Sequence, residues 1–175
     1  AAQRAWAKQT AKRMTFADAD NDHTTDKMFL GQVVYDGEWK TRHAGLSVLL
    51  QTFNVKTLVP VKYALKEMKL SDPTIFDMPL LYITGHENFV LSDNETAPLR
   101  QYLLNGGFLF AEACCGRKGF DLAFRAQMNK LFPDKPLQPI PQNDGIFSMP
   151  NKIEKTGLTA ALAAQIKTSA ARPAM

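Results

Sequence analysis

The sequence predicts a three-layer α/β domain, in which helices cover both faces of a mostly parallel sheet. Short apolar runs alternate along the chain with stretches of helical periodicity, and this alternation is typical of parallel sheets. The chain has 175 residues and a hydrophobic content of 45%, which suffices for one domain with its own core. These observations set the fold class but do not define a reaction.

Three parts are expected along the chain. An N-terminal helix and a polar linker are predicted at residues 1–27, and the α/β domain at residues 28–150. A helical extension is predicted at residues 151–175. Three clear strands and one doubtful strand are few for such a sheet. We therefore expect the domain to be incomplete at its C-terminus.

The first half of the domain predicts two strands with a helix between them. Residues 28–35 form the first strand, and helical spacing of apolar residues predicts a helix from His43 to about residue 55. A second strand is expected at 57–61. Because Pro60 lacks a backbone donor, that strand should lie at a sheet edge or carry a bulge.

The middle of the domain contains a turn, a strand and a helix. Ser71-Asp72-Pro73 can start a short helical turn that faces Ile75 and Phe76 inward. Residues 79–84 form the most apolar strand. Ser92 and Glu95 have the spacing of a capping box, so a helix should begin there and run to about Leu104.

The stretch from Asn105 to Arg117 is predicted to contain a helix end, a strand and the loop that follows it. Gly106-Gly107 ends the preceding helix, and residues 108–113 form a strand expected to be buried on both faces. A helix at 119–131 and a proline-rich surface loop at 133–150 follow.

Composition excludes several classes of protein. The 21 basic and 17 acidic residues give a net charge of +4 and form no long block, so no nucleic-acid partner is predicted. No run of about 18 apolar residues is present, so no membrane span is predicted. The only two cysteines are adjacent, which excludes a disulfide scaffold. No glycine-rich phosphate loop follows a strand, and no cofactor is predicted.

Reactive side chains gather at the predicted carboxyl ends of two strands, where ligands bind in open α/β sheets. His86 follows one strand, and Glu112, Cys114 and Cys115 end the other. In a cysteine-dependent hydrolase or amidotransferase-like enzyme, either cysteine would be the nucleophile and His86 its base. Glu112 or Glu87 would orient the imidazole.

Four further residues are candidates for ligand binding: Asp36, Trp39, Glu87 and Arg117. Asp36 and Trp39 follow the first strand, and Trp39 could either stack on a sugar or cover the core. Arg117 is the expected partner of Glu112, because a carboxylate at the end of a buried strand is costly without one. No metal ligands are assigned, since no CxxC spacing occurs, although histidine, glutamate and two thiols could bind zinc.

Three segments, residues 35–40, 81–86 and 102–116, closely resemble the bacterial family known as domain of unknown function 4159. The resemblance covers roughly residues 28–150. It implies a flavodoxin-like fold similar to that of class I glutamine amidotransferase-like proteins. It also implies a bacterial protein, and it favours an exported or periplasmic location. The family implies no established activity.

The leading functional prediction is a non-catalytic binding or assembly module that is a subunit or fragment of a larger protein. It would bind a protein partner or a neighbouring domain, and a small molecule or sugar is the second kind of ligand considered. The cysteine-dependent enzyme is the first alternative, and a metal-binding domain is the second.

Overall fold

A computed structural model describes residues 27–41, 43–141, 143–149 and 152–153. The described residues up to Leu137 belong to one compact unit, and those from Gln138 onward belong to a second. The helices predicted at 1–13 and near 154–168 lie outside the described residues.

In the described part of the first unit, four parallel strands form one sheet, and their order is β2-β1-β3-β4. The strands are β1 (Gly31–Val34), β2 (Lys66–Lys69), β3 (Leu80–Gly85) and β4 (Phe108–Ala113). This is the flavodoxin-like order, in which the chain reverses direction across the sheet between β1 and β3. The predicted fold class is confirmed.

Within the residues that the structure describes, three helices cover the sheet: α1 (His43–Thr57), α2 (Asp93–Leu104) and α3 (Lys118–Leu131). The predicted capping box is present at the start of α2. Short 3-10 helices span Pro73–Asp77, Cys114–Gly116 and Gly145–Phe147. Among the described residues, no helix is long and apolar enough to cross a membrane.

The core has one hydrophobic cluster on each face of the sheet. Residues of α2 and α3 pack against one face, around Leu81 and Ile83. Residues of α1 pack on the other face, against Tyr82. Alternate residues of a strand point to opposite faces, so β3 contributes to both clusters and forms the centre of the three layers.

The predicted second strand is wrong. Helix α1 continues through Thr57, and Val61 makes only an isolated parallel bridge to Met28. The strand that pairs with β1 is the later segment β2, in which only Met68 is buried. An edge strand with one buried side chain produces no apolar run, so hydrophobicity could not reveal it.

Two burial predictions are also wrong. Phe76 is 43% exposed, although its neighbour Ile75 is fully buried. Strand β4 is fully buried on neither face: Phe108 and Phe110 are 55% and 39% exposed, and the alternate residues Leu109, Ala111 and Ala113 are half-buried. β4 lies at the edge of the described sheet. The helices α2 and α3 cover the face of β4 that carries Leu109, Ala111 and Ala113, and the face that carries Phe108 and Phe110 is exposed.

Gly85 should be intolerant of a side chain, because a β-carbon there would collide with the Tyr35 hydroxyl and lie 2.7 Å from a ring carbon of Phe120. We expect Gly85→Ala to destabilise the fold by about 1–3 kcal/mol. Gly45, in α1, has open space around it, so Gly45→Ala should be neutral or stabilising by up to about 1 kcal/mol. Urea unfolding of both variants checks this, and equal stabilities would contradict it.

Candidate functional site

The pairing of β3 with β4 brings two predicted site residues together. The strands pair in parallel through Gly85 and Ala113, so the next residues, His86 and Cys114, leave the sheet side by side. The carbonyl of His86 accepts a hydrogen bond from the Phe120 amide at 3.3 Å. Helix α3 therefore holds the backbone of His86 in place next to the thiols.

A tight turn after β4 presents the two cysteines to the same region. Cys115 and Gly116 have positive φ angles of 58° and 66°, and the Arg117 amide donates to the Cys114 carbonyl at 3.2 Å. In an extended chain the two side chains would point to opposite sides. Because the chain turns here, the sulfur atoms lie 3.7 Å apart. Cys114 is buried and Cys115 is exposed.

The backbone at Cys115 is strained. Among the described residues, the non-glycine residues with positive φ are Leu58 and Cys115. Leu58 directly follows α1, where a left-handed residue commonly ends a helix. Cys115 lies between a strand and a helix instead. Such strain costs on the order of 1–3 kcal/mol and concentrates at functional sites.

His86 contacts a carboxylate that the sequence did not assign to it. Its Nδ1 lies 3.0 Å from Oε2 of Glu38, and the two side chains are 26% and 60% exposed. A hydrogen bond with Cys115, followed by the bond with Glu38, raises the pKa of His86 above its ordinary value. With Nδ1 engaged by Glu38, Nε2 is the nitrogen left for a thiol.

The strand order explains how Glu38 reaches His86. Glu38 lies in the loop after β1 and His86 follows β3, and these strands are neighbours in the sheet. Ligands of open α/β sheets bind where the strand order reverses, which here is between β1 and β3. In the sequence, Glu38 is recognisable as a carboxylate in the loop after the first strand. Its contact with His86 follows only from the strand order, in which β1 and β3 are neighbours.

Glu112 has a different partner from the one predicted. Its carboxylate is exposed and accepts a hydrogen bond from the Tyr82 hydroxyl at 2.7 Å. Burial, and then the hydrogen bond to Glu112, raises the pKa of Tyr82 to about 12. Arg117 is also exposed, and the expected pairing of Glu112 with Arg117 is not observed. Glu112 therefore supports the sheet beside the thiols and does not orient His86.

Two depressions share the segment Trp39–Thr41, and one of them includes His86. One has a volume of about 310 Å³ and is also lined by Glu38 and His86. The other has a volume of about 190 Å³, and its lining combines apolar surface with polar groups of β1, β2 and β3. Its lining includes Gln32, Glu67, Tyr82 and Thr84. Half-buried Trp39 lines both depressions and also packs against the larger core cluster, so it covers part of the core.

The other predicted ligand-binding residues lie outside these two depressions. Asp36 is exposed and lines a separate open cleft with Lys69 and Ser92. Glu87 is exposed beside His86 in the sequence, and the carboxylate that contacts the imidazole belongs to Glu38 instead.

The described residues thus define an open parallel α/β domain that carries thiol, imidazole and carboxylate groups at the carboxyl edge of its sheet. Residues 29–174 match the family model for a domain of unknown function (DUF4159), and the chain belongs to that family. The match confirms the resemblance and extends beyond residue 150. No curated protein sequence matches the chain.

Strain at Cys115 makes a prediction about stability. Glycine adopts positive φ without steric cost, whereas alanine retains the cost, so we expect Cys115→Gly to be more stable than Cys115→Ala by about 1–2 kcal/mol. The pair Leu58→Gly and Leu58→Ala is the control and should differ in the same direction. Chemical denaturation measures both pairs, and a Cys115→Gly variant no more stable than Cys115→Ala would refute the strained turn.

The raised pKa of His86 makes a prediction about pH. The imidazolium form is favoured in the folded state, so its stabilising contribution is fully present below the ordinary pKa of 6.5 and is lost as pH rises through the folded pKa. NMR titration should show His86 titrating above 6.5. We expect Cys115→Ser and Glu38→Gln each to lower that value. His86→Gln assigns the signal, and an unshifted titration would contradict the prediction.

Proposed function

We propose that the protein is a cysteine-dependent hydrolase or acyl-transfer enzyme, in which Cys115 is the nucleophile, His86 the general base and Glu38 the residue that orients His86. The observation that carries the proposal is the 3.0 Å contact between His86 and Glu38 beside an exposed cysteine on a strained turn. A nucleophile next to a base, with the base held by a third group, is the arrangement that nucleophilic catalysis requires.

Each group would have a defined part in the reaction. The Cys115 sulfur attacks the carbonyl carbon of an amide or ester while its proton passes to His86. Collapse of the tetrahedral intermediate breaks the bond to the leaving group, which takes the proton from His86. A water molecule, activated by His86, then hydrolyses the thioester and regenerates the thiol. Glu38 keeps the Nδ1 proton in place, so that Nε2 faces the reacting atoms.

The turn after Cys115 supplies a candidate for stabilising the oxyanion. In hydrolases whose nucleophile lies on a strand-to-helix turn, the amide of the following residue stabilises the developing negative charge. That residue here is Gly116, which lies between β4 and α3. The depression of about 310 Å³ at Glu38 and His86 would receive the acyl group.

This assignment refines the enzyme predicted as an alternative from the sequence. There, either cysteine served as nucleophile and Glu112 or Glu87 oriented the imidazole. Exposure favours Cys115 over Cys114, because a substrate must reach the sulfur atom. Contact favours Glu38 over both other carboxylates.

The second candidate is the non-catalytic binding module that the sequence favoured. It is supported by the depression of about 190 Å³, in which the buried polar residues Gln32 and Thr84 lie near Trp39. An indole face with nearby hydrogen-bonding groups suits a small polar ligand such as a sugar. In that function Cys114 would serve as a small buried side chain.

Acetylation by p-nitrophenyl acetate tests the enzyme proposal. We expect a rapid release of nitrophenol and an acetyl group on Cys115, identified by mass spectrometry of native protein. Cys115→Ser should abolish both, and His86→Gln should slow acetylation by about 10²–10⁴-fold, the usual contribution of a general base.

Two further variants serve as controls for that experiment. Glu38→Gln should slow acetylation, whereas Asp77→Asn should not, because Asp77 is an exposed carboxylate at the opposite end of β3. Cys114→Ser should retain the reaction. If Cys115 stays unmodified until the protein unfolds, the enzyme proposal fails, and titration with monosaccharides becomes the test of the binding module.

A further inference from the structure

Cys114 has no part in the proposed reaction, yet its sulfur atom lies close to two other potential metal ligands. The Cys114 and Cys115 sulfurs are 3.7 Å apart. Ligand atoms of His86, Cys114 and Cys115 all lie within 4.8 Å of one another. Adjacent cysteines rarely share a metal ion because their side chains usually diverge. The left-handed turn at Cys115 removes that obstacle here.

We propose that His86, Cys114 and Cys115 form a binding site for a thiophilic divalent cation, with zinc as the ion that fits best. Zinc–sulfur bonds of about 2.3 Å in tetrahedral geometry place two sulfurs about 3.8 Å apart. The observed separation of 3.7 Å already has that length. Rotation of the exposed Cys115 and the partly exposed His86 side chains would have to shorten the remaining ligand–ligand separations, which are at most 4.8 Å. Three protein ligands leave a fourth position for water.

Glu38 would not bind the cation itself but would hold the imidazole of His86. Histidines that bind metals generally donate their other ring N–H to a carboxylate, which fixes the tautomer and strengthens the imidazole as a ligand. Nδ1 of His86 contacts Glu38 at 3.0 Å, which leaves Nε2 as the nitrogen available to a cation. The same contact that orients His86 for proton transfer would therefore orient it for metal binding.

Charge balance explains why both thiols can take part. Cys114 is 2% exposed, and an isolated thiolate at such a position is costly. A divalent cation neutralises two thiolates, so binding replaces the two thiol protons and releases them to solvent. No oxidant or reductant is required.

This inference goes beyond the proposed function and does not depend on it. Acyl transfer needs Cys115 and not Cys114, whereas the metal site needs both. Zinc bound at the site would also hold the Cys115 sulfur and block its reaction with acyl donors. The two proposals can consequently fail separately.

Isothermal titration of the reduced, metal-free protein with zinc chloride tests the site. We expect one zinc ion per chain and proton release detected by comparing two buffers. Cobalt(II) in place of zinc should give the near-ultraviolet absorption of cobalt–thiolate bonds. Glu38→Gln should weaken zinc binding about 10–100-fold. Asp77→Asn should leave binding unchanged.

Cys114→Ser is the decisive variant, because it should weaken zinc binding more than Glu38→Gln does while Cys115 still reacts with the acyl donor. Cys114 is buried, so circular dichroism must first show that the variant folds. If it does not fold, His86→Gln replaces it, since that side chain is partly exposed. Failure to bind stoichiometric zinc, or binding that survives loss of Cys114 or His86, overturns the proposal.

Discussion

The parallel pairing of β3 with β4 is the constraint on which the candidate site depends. Six consecutive residue pairs fix the register, from Leu80 with Phe108 to Gly85 with Ala113. A slip of one residue would turn every side chain of a strand to the opposite face. It would also carry Cys114 away from His86. Burial of Leu81 and Ile83 in the larger core cluster specifies one register and thereby the position of the thiols.

The parts of the fold that the sequence predicted correctly are those that leave a local pattern in the sequence. β3 is an unbroken apolar run, α1 has apolar residues at helical spacing, and α2 begins with a capping box. β2 leaves no such pattern, since backbone pairing at the sheet edge defines it and Met68 alone is buried. For β4 the sequence indicated the strand but not its exposed aromatic face, because hydrophobicity does not report which surfaces neighbouring helices cover.

The site was predictable in its location and only partly in its contacts. The edge rule for parallel sheets placed His86, Cys114 and Cys115 together, and the geometry agrees. Glu38 was missed because its contact with His86 spans 48 residues and depends on β1 lying next to β3. Glu112 was given the wrong partner for a related reason. Its hydrogen bond goes to Tyr82, on the same face of the neighbouring strand, and only the register shows that.

The turn at Cys115 links the two proposed activities, because one strained residue both exposes its own sulfur and directs it toward that of Cys114. Relaxing the backbone with glycine would remove the cost of about 1–3 kcal/mol, but it would also remove the thiol. Both Cys115 and Gly116 have positive φ. Gly116 adopts this conformation without steric cost, so the backbone strain of the turn is confined to Cys115. The left-handed turn both reverses the chain and accompanies the close approach of the two sulfur atoms, at 3.7 Å. Under the two proposals, Cys115 would act alone in acyl transfer, and a bound cation would engage the buried sulfur of Cys114 as well.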